Sequence, residues 1–148
     1  MEKIRPATIL LVEDDPGDQK LIKVSLKKQK IANGLYIVGS GEEAMDFLYH
    51  RGNYSAGTLL PDLILLDLKM PGMGGKEFLR RIKQDEKMKK IQVVILTSSD
   101  SDKDILDSYN LQASGYIKKP VELEDFKRVV KEIGAYWFII CKLPPKEG

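Results

Sequence analysis

Three carboxylates, one hydroxyl and one ammonium in this chain stand where they could act together on one small ligand. Asp67 closes the apolar run Leu63-Ile64-Leu65-Leu66, and Glu13 and Asp14 close Ile9-Leu10-Leu11-Val12. Thr97 follows Val93-Val94-Ile95-Leu96, and Lys119 follows Gly115-Tyr116-Ile117-Lys118. Short apolar runs bounded by Pro, Gly or polar clusters read as strands buried on both faces. Each candidate then falls at the carboxyl end of a strand, where open α/β sheets bind ligands. Clustered carboxylates repel one another and raise a pKa unless something relieves them. A divalent cation does so. Hard oxygen donors suit Mg2+, and the lack of soft ligands nearby disfavours zinc and copper. A carboxylate can act as a nucleophile toward phosphorus, with Lys and Mg2+ neutralising charge on the phosphoryl oxygens. The set fits phosphoryl transfer onto Asp67. Alone, Asp67 could equally be a helix cap or a solvated strand end; its four companions decide against that.

The elements that must position these groups alternate. Strands are expected at Thr8 to Val12, Leu35 to Val38, the run ending at Asp67, Val93 to Leu96 and Gly115 to Lys118. Pro16 and Gly17 read as a break, with a helix from Asp18 to Lys30. Ser40 and Glu43 form a capping-box pattern opening a second helix. His50 to Leu60 and Met70 to Gly75 read as loops. A third helix is expected from Lys76 to Lys90, a fourth capped by Ser101 or Asp102, and a long last one from Glu122 onward. Five strand-helix alternations predict an α/β doubly wound parallel sheet with right-handed crossovers. The flavodoxin-like order 2-1-3-4-5 places the ends of strands one and three side by side at the switch point. Glu13, Asp14 and Asp67 would converge there.

At 148 residues the chain suits one domain. A formal net charge of +2 argues for neither nucleic acid nor a membrane surface. Lys27, Lys28 and Lys30 read as a solvated face. A single cysteine, Cys141, excludes an intrachain disulfide, and a single histidine, His50, excludes a histidine metal site. We see neither a signal peptide nor a run of ~20 apolar residues, which points to the cytoplasm. The glycines at 72, 74 and 75 lack the spacing of a phosphate-cradling P-loop.

Leu11-Val12-Glu13-Asp14-Asp15, Leu66-Asp67-Leu68-Lys69-Met70-Pro71, Leu96-Thr97-Ser98 and Lys119-Pro120 together resemble the four motifs of the receiver domain of two-component response regulators, in that family's order. The resemblance runs from about Thr8 to Ile133. It implies that Asp67 is the phosphoacceptor and Mg2+ the cofactor. Asp14 would be a direct Mg2+ ligand, Glu13 would act through water, and the Lys69 backbone carbonyl would be a further ligand. It also implies that Thr97 and Lys119 hold the phosphoryl group, that Lys119-Pro120 is cis, and that Tyr116 is the switch aromatic. The plain alternative for Tyr116 is a packed core residue. Ser98, Gly74 and Lys69 depart from the family's usual residues, and Lys69 and Ser99 are expected to tune hydrolysis of the phosphoryl group.

Two features resemble stand-alone regulators that pair with bacteriophytochrome-type sensor histidine kinases. One is the extended segment Tyr49 to Tyr54. The other is the tail with Tyr136-Trp137-Phe138 and Leu143-Pro144. From Ala135 to Cys141 the last helix is apolar all round, so a homodimer interface is expected within 134–148; the alternative is a tail folded back on its own domain. With one domain, output is expected from a partner, from dimerisation or from passing the phosphoryl group on. Rival readings are weaker. A phosphohydrolase with an aspartyl-phosphate intermediate usually has an acid where Lys69 stands. A flavin or nucleotide module would want a glycine-rich phosphate loop. A docking-only receiver would not need the full residue set.

Overall fold

The computed structural model describes residues 8–28, 34–56, 60–98, 109–122, 124–126 and 128, with residues 27, 28 and 97 described in their backbone alone. Five strands form one parallel sheet: β1 (Ile9–Val12), β2 (Leu35–Val38), β3 (Leu63–Asp67), β4 (Gln92–Thr97) and β5 (Gly115–Lys118). Their order is β2-β1-β3-β4-β5, as the alternation predicts. Among the described residues the longer helices are α1 (Pro16–Lys28), α2 (Gly41–Tyr49) and α3 (Gly75–Lys83). Residues 109–110, 124–126 and 128 are also helical.

Period-two alternation splits the core into two layers. Ile9, Leu11, Leu63, Leu65, Val94, Leu96 and Ile117 face one way and pack with Ile22 and Leu26 of α1 and with Phe126. Leu10, Val12, Ile64, Leu66, Val93 and Ile95 face the other way, against Phe47 of α2 and Phe78 and Leu79 of α3. Burial on both faces is why these strands read as unbroken apolar runs.

Three expected boundaries change. Pro16 starts α1 instead of breaking the chain, because a first-turn position needs no backbone N–H and suits proline's fixed φ. Asp15 caps that helix, its Oδ2 accepting from Asp18 N at 2.8 Å. The third helix stops at Lys83 instead of Lys90. There the Asp85 carboxylate takes the N–H groups of Lys87 (2.7 Å) and Met88 (3.0 Å), offering the backbone a turn in place of helix. A separate 3-10 turn spans Met88–Lys90. The expected loop after α2 contains a 3-10 turn at Gly52–Tyr54. The helix expected after Ser101 or Asp102 lies largely outside the described residues, as do Ser99, Lys30, Cys141, the rest of the last helix and the predicted dimer segment 134–148. Among the described residues, no helix is long and apolar enough to cross a membrane.

The Ser40 cap forms as expected, with Ser40 Oγ accepting from Glu43 N at 3.0 Å. Glu43 Oε1 accepts from Gly39 N, one residue before the cap, and its Oε2 accepts from Tyr54 Oη at 2.6 Å. Tyr49 Oη donates to Asp85 at 2.6 Å. Tyr54 thus ties the segment after α2 back to that helix, Tyr49 ties the end of α2 to the turn after α3, and His50 turns the chain between them in the left-handed region at φ 56°. Burial, then the Asp85 contact, pushes the Tyr49 phenol up to about 12. The Glu43 hydrogen bond, then burial, does the same to Tyr54. A raised folded-state pKa means the stabilisation is complete below the ordinary value near 10 and is lost as pH rises through about 12. Each tie should contribute about 1 kcal/mol at neutral pH, since both are partly solvated. Tyrosinate absorbance should show late-titrating phenols, with Tyr49→Phe and Tyr54→Phe each deleting one. Titration of every phenol near 10 would contradict this.

Candidate phosphoacceptor site

The site is built at the switch point between β1 and β3. Beyond Val12 the parallel ladder runs one residue further: Glu13 N donates to Val38 O at 3.0 Å. Gln19 of α1 donates to Glu13 O at 2.6 Å. Those two bonds fix the backbone that carries Glu13, which is fully buried, and Asp14, which is half-buried. Across the register from Val12 and Leu66, β3 ends at Asp67, also buried. Ligand oxygens of Glu13, Asp14 and Asp67 lie within 4.8 Å of one another. Asp67 Oδ1 faces the Lys69 N–H at 3.3 Å.

Lys119, which follows β5 and precedes Pro120 across a cis peptide bond, reaches this cluster with its side chain. Its Nζ is ion-paired with Glu13 Oε1 and lies 3.0 Å from Asp18 Oδ2 and 3.5 Å from Asp67 Oδ2. Burial pulls the ammonium's pKa down, but Glu13, Asp18 and Asp67 outweigh it and hold the group above its ordinary value. Glu13 goes the other way from an ordinary carboxylate. Burial pushes it up to about 7, the Lys119 contact and the Asp15 N–H oppose this, and the Asp67 charge adds to it. Lys119 thus gains from several carboxylates, whereas Glu13 has a single ammonium to offset complete burial.

The convergence of Glu13, Asp14 and Asp67 is the observation that tests the cation. Three carboxylates whose oxygens lie this close together, two of them buried, are a hard-oxygen donor set. It fits a divalent cation, which Glu13, Asp14 and Asp67 would hold. The Lys69 side chain is exposed.

The other expected site residues stand as follows. Thr97 ends β4 and pairs in register with Lys118, one step beyond the Asp67–Leu96 pair; its hydroxyl lies outside the described atoms. Tyr116 is not a packed core residue. It is 36% exposed and meets Tyr109 edge-on, ring centroids 6.3 Å apart. It lines a cavity of about 220 Å³ with Tyr109, Ser114, Lys118, Asp125 and Arg128. Asp18 was not anticipated, nor was the close approach of Gly75. A Cβ on Gly75 would lie 2.3 Å from Asp67 O, so α3 can start against the strand end only with glycine there. Asp18 lies 101 residues from Lys119, and the sequence carries no signal of their pairing.

Comparison with known proteins agrees with this geometry. Residues 9–131 match the response regulator receiver domain. Response regulator Rcp1 of Synechocystis sp. is 40% identical over 139 residues, 94% of each chain. Its Mn2+-bound structure superposes with a TM-score of 0.76 at 39% identity, covering 95% of this chain and all of that one, 100%. The bacteriophytochrome response regulator AtBRR gives 0.81 at 38% identity, covering 91% and 96%. The phosphorylated cyanobacterial phytochrome response regulator RcpA gives 0.75 at 35% identity, covering 95% and 99%. The chain belongs to the response regulator receiver domain family and is homologous to phytochrome-associated response regulators.

Proposed function

We propose that Asp67 accepts a phosphoryl group from the phosphohistidine of a sensor histidine kinase of the bacteriophytochrome kind. An Asp67 carboxylate oxygen forms the new O–P bond, the P–N bond breaks, and the departing imidazole takes up a proton. The observation that carries this reading is the placement of the Lys119 ammonium between the buried Glu13 and Asp67 carboxylates at the sheet's switch point. Glu13, Asp14, Asp67 and the Lys69 carbonyl would hold Mg2+, which when bound supplies positive charge to the phosphoryl oxygens. Support for the cation comes from the Mn2+-bound form of Rcp1, and for phosphorylation from RcpA. Lys119 pairs with the phosphoryl oxygens, and the Thr97 hydroxyl hydrogen-bonds to them. Added charge at Asp67 draws both residues in and moves Tyr116 from its exposed position, changing the face around residues 109–110 and 124–126. A homodimer through 134–148 is the partner surface we favour.

Radiolabelled phosphotransfer tests the kinase assignment. Label on an autophosphorylated bacteriophytochrome-type kinase should pass to the wild-type chain and not to Asp67→Asn. Label that stays on a kinase still able to phosphorylate its own regulator would refute the assignment.

A further inference from the structure

The Lys119 ammonium has three N–H groups and three carboxylates around it. Glu13 and Asp67 belong to the cation cluster and the acceptor; Asp18 belongs to neither. Yet Asp18 Oδ2 accepts a hydrogen bond from Lys119 Nζ at 3.0 Å, whereas Asp67 Oδ2 lies at 3.5 Å, beyond ordinary hydrogen-bond range. Asp18 is held in place by the first turn of α1 through its N–H to Asp15. Its side chain is 35% exposed against 13% for Lys119, so the pair sits at the rim of the site.

We propose that Asp18 is a positioning residue that shares the Lys119 ammonium with the acceptor carboxylate, and so sets how readily Lys119 is released to an incoming phosphoryl group. The proposal rests on Asp67 being that acceptor. The Asp18 contact stabilises the unphosphorylated arrangement, because the ammonium must lean away from Asp18 to follow a phosphoryl group on Asp67. Removing the Asp18 charge removes that competition and favours phosphorylation.

The test is the initial rate of phosphorylation by phosphoramidate with Mg2+, followed by intact mass. Asp18→Asn keeps the shape and an acceptor oxygen but not the charge. Its rate at subsaturating donor should rise about three- to fivefold, the range for a partly exposed ion pair. The rate at saturating donor should stay near wild type, and Asp18→Glu should return both values to wild type. In a Lys119→Gln background the Asp18→Asn gain should vanish. An unchanged or lower rate for Asp18→Asn would overturn the proposal. So would a full gain without Lys119, since the effect would then be plain charge repulsion. A wild-type chain that takes no phosphoryl group would instead overturn the reading of Asp67.

Discussion

Lys119→Met should slow phosphorylation of Asp67 about a hundredfold and cost about 3 kcal/mol of stability at pH 8. The methionine keeps the apolar stem but leaves Glu13, fully buried, without its ammonium. The Glu13 carboxyl already stands at about 7 through burial, and losing Lys119 raises it further. For a carboxylate whose folded-state pKa is raised, stabilisation is complete below the ordinary value and is lost as pH rises through the folded value. The variant should therefore approach wild-type stability near pH 5 and fall behind as pH passes 7. Urea denaturation at pH 5 and pH 8 measures this, beside intact-mass phosphorylation rates. A variant equally stable at both values, or phosphorylated at the wild-type rate, would show that Lys119 neither offsets the buried carboxylate nor assists transfer.

Gly75→Ala should destabilise the chain by about 3 kcal/mol and lower Tm by roughly 10 °C. The new methyl carbon would lie 2.3 Å from Asp67 O and 2.7 Å from Leu68 Cα, both backbone atoms. These atoms cannot yield as a flexible side chain could. Either α3 retreats from the sheet, breaking the Gly75 N–H bond to Leu68 O, or the end of β3 moves and takes Asp67 with it. Neighbouring Gly74 is the control. A Cβ there meets Leu68 O at 3.7 Å, an ordinary contact, and Gly74→Ala should cost less than about 1 kcal/mol at this helix cap. Thermal unfolding of both variants measures the contrast. Equal Tm values would remove the close-packing argument.

The sheet was legible because its strands are buried on both faces. Ile9 to Val12 and Leu63 to Leu66 feed two core layers, so each reads as an unbroken apolar run ending at a carboxylate. Glu13, Asp14 and Asp67 then converge through strand order alone. What escaped the sequence depends on finer geometry. Pro16 read as a breaker because its neighbours Asp15 and Gly17 are turn formers; only the Asp15 cap shows that it starts a helix. The end of α3 was misplaced because one carboxylate, Asp85, turns the chain inside a stretch without Gly or Pro to mark the break. Asp18 lies 101 residues from Lys119, and nothing local signals that the first turn of α1 and the end of β5 share an ion pair. Gly75 looked like any loop glycine until the distance to Asp67 O was known.

The central claim is that Asp67 takes one phosphoryl group in a cation-dependent step. Intact mass after incubation with phosphoramidate, with Mg2+ or with chelator, beside Asp67→Asn, tests it directly. The result we expect is a single phosphoryl adduct on the wild-type chain that needs both Mg2+ and Asp67. An adduct that survives Asp67→Asn, or forms equally well under chelation, would contradict the claim.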